Sequence, residues 1–222
     1  MVSTSRLLEL LHIDLFGPVD VLSMGSKSYE FVIVDDHSRF TWVYFLAHKD
    51  EALHTFIKHY KKIQNEKTFL INVRSDHGGE FENHGFESFC NEHGYGHNFS
   101  APRTPQQNGV VEKKNRSLNE MARTMFYENN LSKYFWGETI NIACYVINRM
   151  TIRSLLSKTP YELYKGRQPN VSHLRSFGCK CFILKNGKHP IGKMDAKSDD
   201  AIFIGYALNS KAYRDFNKTS LK

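Results

Sequence analysis

The chain has 222 residues, 41% of them hydrophobic and 24% charged, which is the composition of a globular protein and excludes a disordered or fibrous chain. Its longest apolar runs, FVIV and WVYFLA, are long enough only for strands, so we expect no membrane span and no secretory signal. The net charge of +7 and the 13% aromatic content favour an anionic partner, above all nucleic acid. The four cysteines show no C-x-x-C spacing, which argues against a structural zinc site and against a disulfide framework.

The first half of the chain predicts a sheet covered by a helix. Residues 7–16, LLELLHIDLF, have the pattern of a strand that stops at a Gly-Pro pair. Residues 29–36 and 40–46 are rich in β-branched and aromatic residues and predict a hairpin. Residues 50–65 carry apolar side chains at helical spacing behind an N-capping aspartate, and they predict an amphipathic helix. A further strand, residues 69–73, ends shortly before Asp76.

The second half predicts helices and then a change of texture. Apolar residues recur at helical spacing in residues 81–92, 110–128 and 134–149. A short strand is predicted at residues 96–100, and the two prolines and the Asn-Gly pair of APRTPQQNG predict a polar loop before the second of these helices. From about residue 172 to residue 222, glycines and prolines separate short apolar runs, which indicates a small β-rich unit.

Three carboxylates occupy related places in these elements. Asp76 lies in the stretch VRSDHGGEF, where it is either a turn residue before two glycines or a ligand. Asp14 lies near the end of the first strand, and Glu112 lies in the first turn of the helix that follows the polar loop. Strand ends and helix starts can meet at one edge of a mixed sheet, so these three acids could converge. Three hard oxygen donors would suit magnesium or manganese better than zinc.

The local sequences around these acids resemble a known family. Thirty-five residues separate Asp76 from Glu112, and the three acids lie in the segments HIDLFGP, RSDHGGEF and TPQQNGVVEKKNRSL. These segments resemble the catalytic core of retroviral and retrotransposon integrases, and the similarity is greatest to the copia-type LTR retrotransposons of plants. Further similar stretches include VDDHSRFTWVYFL, NLSKYFWGETINIACYVINR and DAIFIGYALNSKAYRDFN, so the resemblance extends over essentially the whole chain.

The resemblance implies a fold and a chemistry. It implies a ribonuclease-H-like α/β core with a mixed, helix-flanked sheet over residues 5–165, and a small β-barrel-like unit over residues 172–222. It implies phosphodiester cleavage and DNA strand transfer with two magnesium or manganese ions. Asp14 and Asp76 would bind one ion, and Asp14 and Glu112 the other.

Nearby charged and polar residues are interpreted as structural supports or as DNA contacts. Asp35 and Asp36 are interpreted as shaping a hairpin turn, Glu80 as supporting the loop after Asp76, and His77 as an exposed turn residue. Basic residues around Glu112 would neutralise phosphates, and the Gln-Gln-Asn segment resembles the mobile active-site loop of the family. The predicted DNA contacts are Arg103, Gln106, Gln107, Asn108, Lys113, Lys114, Arg116 and Arg123.

The partners and the completeness of the chain are also expectations. We expect DNA as the partner, a homo-oligomer when active, and a nuclear location when acting on DNA. The zinc module, the protease and the reverse transcriptase of the family polyprotein have no counterpart in this sequence, so we interpret the chain as a polyprotein fragment. Two alternatives remain open: a catalytically inactive DNA-binding remnant, and a resolvase or ribonuclease of the same fold.

Overall fold

A computed structural model describes residues 4–66, 72–99, 108–185, 192–207, 210 and 212–220. Its first unit is a five-stranded sheet built from β1 (Leu10–Phe16), β2 (Tyr29–Asp35), β3 (Thr41–Leu46), β4 (Asn72–Ser75) and β5 (Gly96–Phe99). The strand order is β3-β2-β1-β4-β5; β1, β2 and β3 are antiparallel neighbours, whereas β1, β4 and β5 run parallel. The predicted mixed sheet is therefore confirmed.

The helices lie on both faces of this sheet. They are α1 (Glu51–Glu66), α2 (His84–His93), α3 (Gly109–Asn129), α4 (Trp136–Met150) and α5 (Pro160–Lys165), with a 3-10 turn at Lys133–Phe135 before α4. Alternate residues of a strand point to opposite faces, and the two sets pack into separate cores. Phe31 and Ile33 pack with Phe56 of α1 and Phe86 of α2. Val32 and Val34 face the other way and pack with Val111 and Leu118 of α3 and with Ile140 of α4.

The C-terminal strands form a second, antiparallel sheet in the order β6-β7-β8, comprising β6 (Lys180–Leu184), β7 (Ser198–Tyr206) and β8 (Tyr213–Asn217). This sheet packs against α4 on the side away from the five-stranded sheet, where Ile142 meets Ile202 and Phe203. Arg214 of β8 also donates two hydrogen bonds, of 2.8 and 2.9 Å, to the carboxylate of Glu138 in α4. Helix α4 thus has an apolar stripe toward each sheet.

Several element boundaries differ from the predictions for local reasons. Strand β1 begins at Leu10 rather than at residue 7, because Leu8 has a positive φ of 61° and its N–H donates to Asp35 Oδ1 at 2.8 Å. Helix α2 begins at His84 rather than at residue 81, because the side chain of Asn83 caps it by accepting from the backbone N–H of Phe86. Strand β4 extends to Ser75, beyond the predicted end at residue 73.

Helix α5 was not predicted. It has a capping box in which Thr159 and Glu162 satisfy each other's backbone N–H groups, and Pro160 stands at its start. In the part of the chain that the structure describes, no helix is both long and apolar enough to cross a membrane.

Candidate active site

Strand register brings Asp14 and Asp76 to the same edge of the sheet. In the parallel pair β1 and β4, Leu10 lies opposite Asn72 and His12 opposite Arg74. Extending this register by two residues sets Asp14 beside Asp76, at the carboxyl ends of two adjacent parallel strands. Neighbouring strands are about 4.8 Å apart, and the carboxyl ends of parallel strands are where α/β proteins place their ligands.

Asp76 is held by the turn that the two glycines form. Its Oδ1 accepts a hydrogen bond from the backbone N–H of Gly78 at 3.1 Å, which is the geometry of an Asx turn. The two interpretations of this residue are therefore compatible, because one carboxylate oxygen shapes the turn while the carboxylate stays at the edge beside Asp14.

Helix α3 carries Glu112 to this edge. The helix packs on β1 and β2 through Val111 and Leu118, which are fully buried. One turn after Glu112, the amide Nδ2 of Asn115 donates a hydrogen bond to Asp14 Oδ2. Residues three apart share a helix face, so the contact at Asn115 also places Glu112 near Asp14.

The pKa of Asp14 depends on its burial and on the two other acids. Burial, together with the negative charges of Asp76 and Glu112, raises the pKa of Asp14 to about 6. Hydrogen bonds from the Leu15 backbone N–H and from Asn115 favour the ionised form and partly oppose this rise. A carboxylate whose neighbours are other carboxylates is expensive to ionise, and a bound cation would remove that cost.

Asp14, Asp76 and Glu112 are not arranged as a complete metal-binding site in this structure. Within the ranges that the structure describes, no three Asp, Glu, His or Cys side chains are arranged as a preformed metal site. Asp14 and Glu112 line one cavity of about 290 Å³ between β1 and α3. Besides these acids, the residues lining it include Phe16, Asn115, Arg116, Asn119 and Arg123.

The predicted DNA contacts fall into three groups. Arg103, Gln106 and Gln107 lie outside the described residues. Lys113, Arg116 and Arg123 are exposed on α3, and both arginines line the cavity. Asn108 and Lys114 are less exposed: Asn108 is only 4% exposed, and Lys114 is half-buried, which lowers the pKa of its ammonium near Cys144 and Arg39.

Two other charged residues considered from the sequence, Glu80 and His77, have partners of their own. Glu80 lies 3.9 Å from Lys49 Nζ. His77 is exposed, stacks on Phe99 and lies 3.2 Å from Glu82.

Asp35 and Asp36 lie at the opposite end of β1 from Asp14. Asp35 accepts hydrogen bonds from the N–H and Oγ of Ser38, which closes the hairpin turn. Asp36 bonds to His12 Nε2 at 3.0 Å and accepts from Thr4 and Arg39. Both acids therefore brace the start of the sheet.

Sequence reasoning missed two residues at the site. Asn115 holds Asp14, and Glu30 lies on the same face of the sheet, where β2 pairs it with Phe16. Glu30 is 1% exposed, and burial raises its pKa to about 8, with an added contribution from the charge of Asp14 and an opposing one from the Asn119 amide. A single glutamate within the apolar run YEFVIV was the available signal.

Comparison with family models gives two matches. Residues 5–105 match the integrase core domain, and residues 179–222 match the retroviral polymerase SH3-like domain. The first match includes Asp14 and Asp76 and ends just before Glu112.

Two curated plant relatives match nearly all of the chain. The retrovirus-related Pol polyprotein from transposon TNT 1-94 of Nicotiana tabacum is 39% identical over 210 residues, which cover 94% of this chain and 16% of the relative. The Pol polyprotein from transposon RE2 of Arabidopsis thaliana is 32% identical over 215 residues, covering 96% of this chain and 14% of the relative. The chain thus spans about one sixth of the length of these relatives.

Solved structures share the fold. The HTLV-2 integrase catalytic core domain in complex with magnesium, in its trimeric form, has a TM-score of 0.53 at 16% identity, covering 71% of this chain and 97% of that chain. A chain in the structure of the simian T-cell lymphotropic virus intasome in complex with PP2A regulatory subunit B56 gamma has a TM-score of 0.58 at 15% identity, covering 96% of this chain and 77% of that chain. At these identities the likeness establishes the fold alone, and it confirms the predicted integrase-type core.

Proposed function

The chain belongs to the integrase core family of copia-type plant retrotransposon polyproteins, and from this premise we propose that it catalyses phosphodiester cleavage and DNA strand transfer at Asp14, Asp76 and Glu112. The observation that carries the proposal is the convergence of these three acids on one sheet edge. Asp14 lies on β1, Asp76 follows β4, and Glu112 lies on α3. Asp76 and Glu112 are close enough to Asp14 for their charges to raise its pKa.

The donor set fits divalent magnesium or manganese. The three acids offer only carboxylate oxygens, which these hard cations prefer. Asp14 would be shared, binding one ion together with Asp76 and a second together with Glu112. Bound ions would supply Lewis acidity and charge neutralisation at the scissile phosphate. Glu112 is exposed at the first turn of α3, so its side chain can rotate toward Asp14 to complete the set.

The side chains of this protein have separate tasks. Asp14 is positioned by Asn115 and by its own strand, so it anchors the site. Asp76 is positioned by its turn. Arg116 and Arg123 place positive charge on the wall of the same cavity, where they would hold DNA phosphates against the acids.

Assembly and DNA partners are part of the proposal. The magnesium-bound HTLV-2 core domain is trimeric in one crystal form and dimeric in another, and the simian virus relative is part of an intasome. We infer by analogy that this chain acts as an oligomer on the DNA ends of its element and on a target DNA. The relatives are six to seven times longer than the match, so other parts of such polyproteins would contribute to complete integration.

The test is a disintegration assay on a labelled branched DNA that mimics the strand-transfer product. The wild type should resolve the branch and nick DNA when magnesium or manganese is added, and Asp76→Asn and Glu112→Gln should each lose this product. Glu128→Gln is the matched control, because Glu128 is exposed on the same helix but lies 16 residues beyond Glu112, which is about 24 Å along the axis.

The outcomes separate the remaining alternatives. DNA binding with no product in any variant would favour the inactive remnant. Equal activity of wild type and Glu112→Gln would contradict the assignment of the acids. A strong preference for RNA–DNA hybrids or for branched DNA over linear DNA ends would favour the third alternative, a resolvase or ribonuclease of the same fold.

A further inference from the structure

An aromatic side chain stands at the edge of the proposed site. Phe16 is the last residue of β1, two positions after Asp14, so both side chains leave the strand on the face toward α3. The cavity between β1 and α3 is lined by Phe16 together with Asp14 and Glu112. Phe16 is 48% exposed, although Glu30, its partner across the strand pair, is 1% exposed.

The position of Phe16 is fixed by the backbone. Strand pairing sets it opposite Glu30 on β2, and the chain turns away at Gly17, whose φ is 134°. A Cβ at Gly17 would lie 2.7 Å from the carbonyl oxygen of Ser28, so the turn requires glycine. The ring is therefore presented from a rigid strand end.

Single exposed apolar residues are common on protein surfaces and usually carry no function. Phe16 differs because its ring faces a concave surface that also holds Arg116 and Arg123. An aromatic face beside guanidinium groups matches the two parts of a nucleotide: the flat base and the charged phosphate.

We propose that Phe16 stacks against an unpaired base of the DNA strand that enters the cavity beside Asp14, while Arg116 and Arg123 hold the adjoining phosphates. This inference rests on the proposed function, since it presumes that DNA occupies the cavity. It adds a preference that the acids alone cannot give: DNA ends whose terminal bases are unpaired should bind better than fully paired ends. Unpaired bases expose the faces that a protein ring can cover, and stacked bases in a duplex do not.

The first test measures binding without divalent metal, so that catalysis does not enter. Two DNA duplexes are compared that share one strand and differ only in whether the bases next to the end are matched or mismatched. The wild type should bind the mismatched end about five- to a hundredfold more tightly, the range given by base stacking on one aromatic ring. Phe16→Leu keeps apolar bulk and should lose this preference, whereas Phe16→Tyr keeps the ring and should retain it.

Leucine and tyrosine are preferable to alanine at this position. Phe16 covers Glu30 across the strand pair, and a small residue would open the buried carboxyl to water and disturb the sheet edge. Both variants should keep the circular dichroism spectrum and the cooperative thermal unfolding of the wild type, which shows that the fold is intact.

A second readout locates the contact directly. A 5-iododeoxyuridine at the unpaired position should, on irradiation, crosslink to the tryptic peptide that spans residues 7–27, at Phe16. Crosslinking elsewhere, equal affinity of the wild type for both duplexes, or an unchanged preference in Phe16→Leu would each overturn the inference. These results are independent of the Glu112→Gln assay, because stacking could fail while metal-dependent cleavage of paired ends persists.

Discussion

Replacing Asp14 with asparagine should stabilise the metal-free protein while abolishing its proposed activity. In the folded chain, burial and the charges of Asp76 and Glu112 raise the pKa of Asp14 from 3.8 to about 6. The folded state therefore binds the proton of Asp14 more tightly than the unfolded state does. The resulting stabilisation is fully present below pH 3.8 and is lost as the pH rises through about 6.

The magnitude follows from the size of this change. One pKa unit corresponds to about 1.4 kcal/mol, so ionising Asp14 costs the folded state about 3 kcal/mol near pH 8 and only about 0.5 kcal/mol near pH 4. Asparagine has no charge to bury, but it keeps a polar group that must still be satisfied. We therefore expect Asp14→Asn to raise the free energy of unfolding by about 1 to 3 kcal/mol near pH 8, with little change near pH 4.

Chemical denaturation in a chelator, followed by tryptophan fluorescence, measures this difference. The only two tryptophans, Trp42 and Trp136, pack against opposite cores of the sheet, so the signal reports on both faces. Added magnesium should stabilise the wild type by mass action and stabilise Asp14→Asn much less. Asp20→Asn removes an exposed carboxylate from the connection between β1 and β2 and should change neither result.

Equal stability of Asp14→Asn and wild type at both pH values would refute this reasoning. It would mean that neither burial nor the charges of Asp76 and Glu112 raise the pKa of Asp14 in the folded protein.

Three further substitutions test other parts of the structure. Glu30→Gln should be more stable than wild type by roughly 3 to 5 kcal/mol near pH 9 and nearly equal to it near pH 4. The reason is that the raised pKa of Glu30, about 8 against an ordinary 4.5, favours folding only while the carboxyl is protonated. Chemical denaturation across this pH range measures the difference in the free energy of unfolding. Gly17→Ala should lose about 2 kcal/mol or more, since alanine meets both a φ of 134° and the Ser28 carbonyl, and an undiminished Tm would contradict the strained turn. Arg214→Lys should lose up to about 1 kcal/mol with its two-pronged contact to Glu138, and the loss should vanish in a Glu138→Gln background if that contact is its cause.

The sequence was sufficient for features that depend on local pattern. The amphipathic spacing predicted α1, α3 and α4, and the segments around Asp14, Asp76 and Glu112 identified the family on which the fold prediction rested. Helix α5 was not predicted, although Thr159 and Glu162 have the spacing of a capping box. The helix is only six residues long and lies where glycines and prolines become frequent, so its apolar pattern is too short to indicate a helix.

The remaining site features depend on register, which the sequence does not display. Asn115 and Phe16 become part of the site only when α3 is laid across β1, and Glu30 joins them only through the pairing of β2 with Phe16. Lys114 and Asn108 look like surface residues in a basic segment, but Asn108 is buried at the start of α3 and the rotation of the helix leaves Lys114 half-buried. Periodicity gives the apolar face of a helix; it does not say which polar neighbours lie along its border.

Because α4 packs against both sheets, the chain cannot be divided into two fragments without exposing apolar side chains of this helix. The two family matches leave residues 106–178 between them, and α4 lies inside that interval while serving as a wall for the core on each side. Removing the C-terminal sheet would leave Phe135 and Ile142 facing water, and removing the five-stranded sheet would strip Ile140 and Ala143 in the same way. The protein should therefore melt in a single cooperative transition, and a soluble fragment that ends at α4 would need polar replacements along its outer stripe.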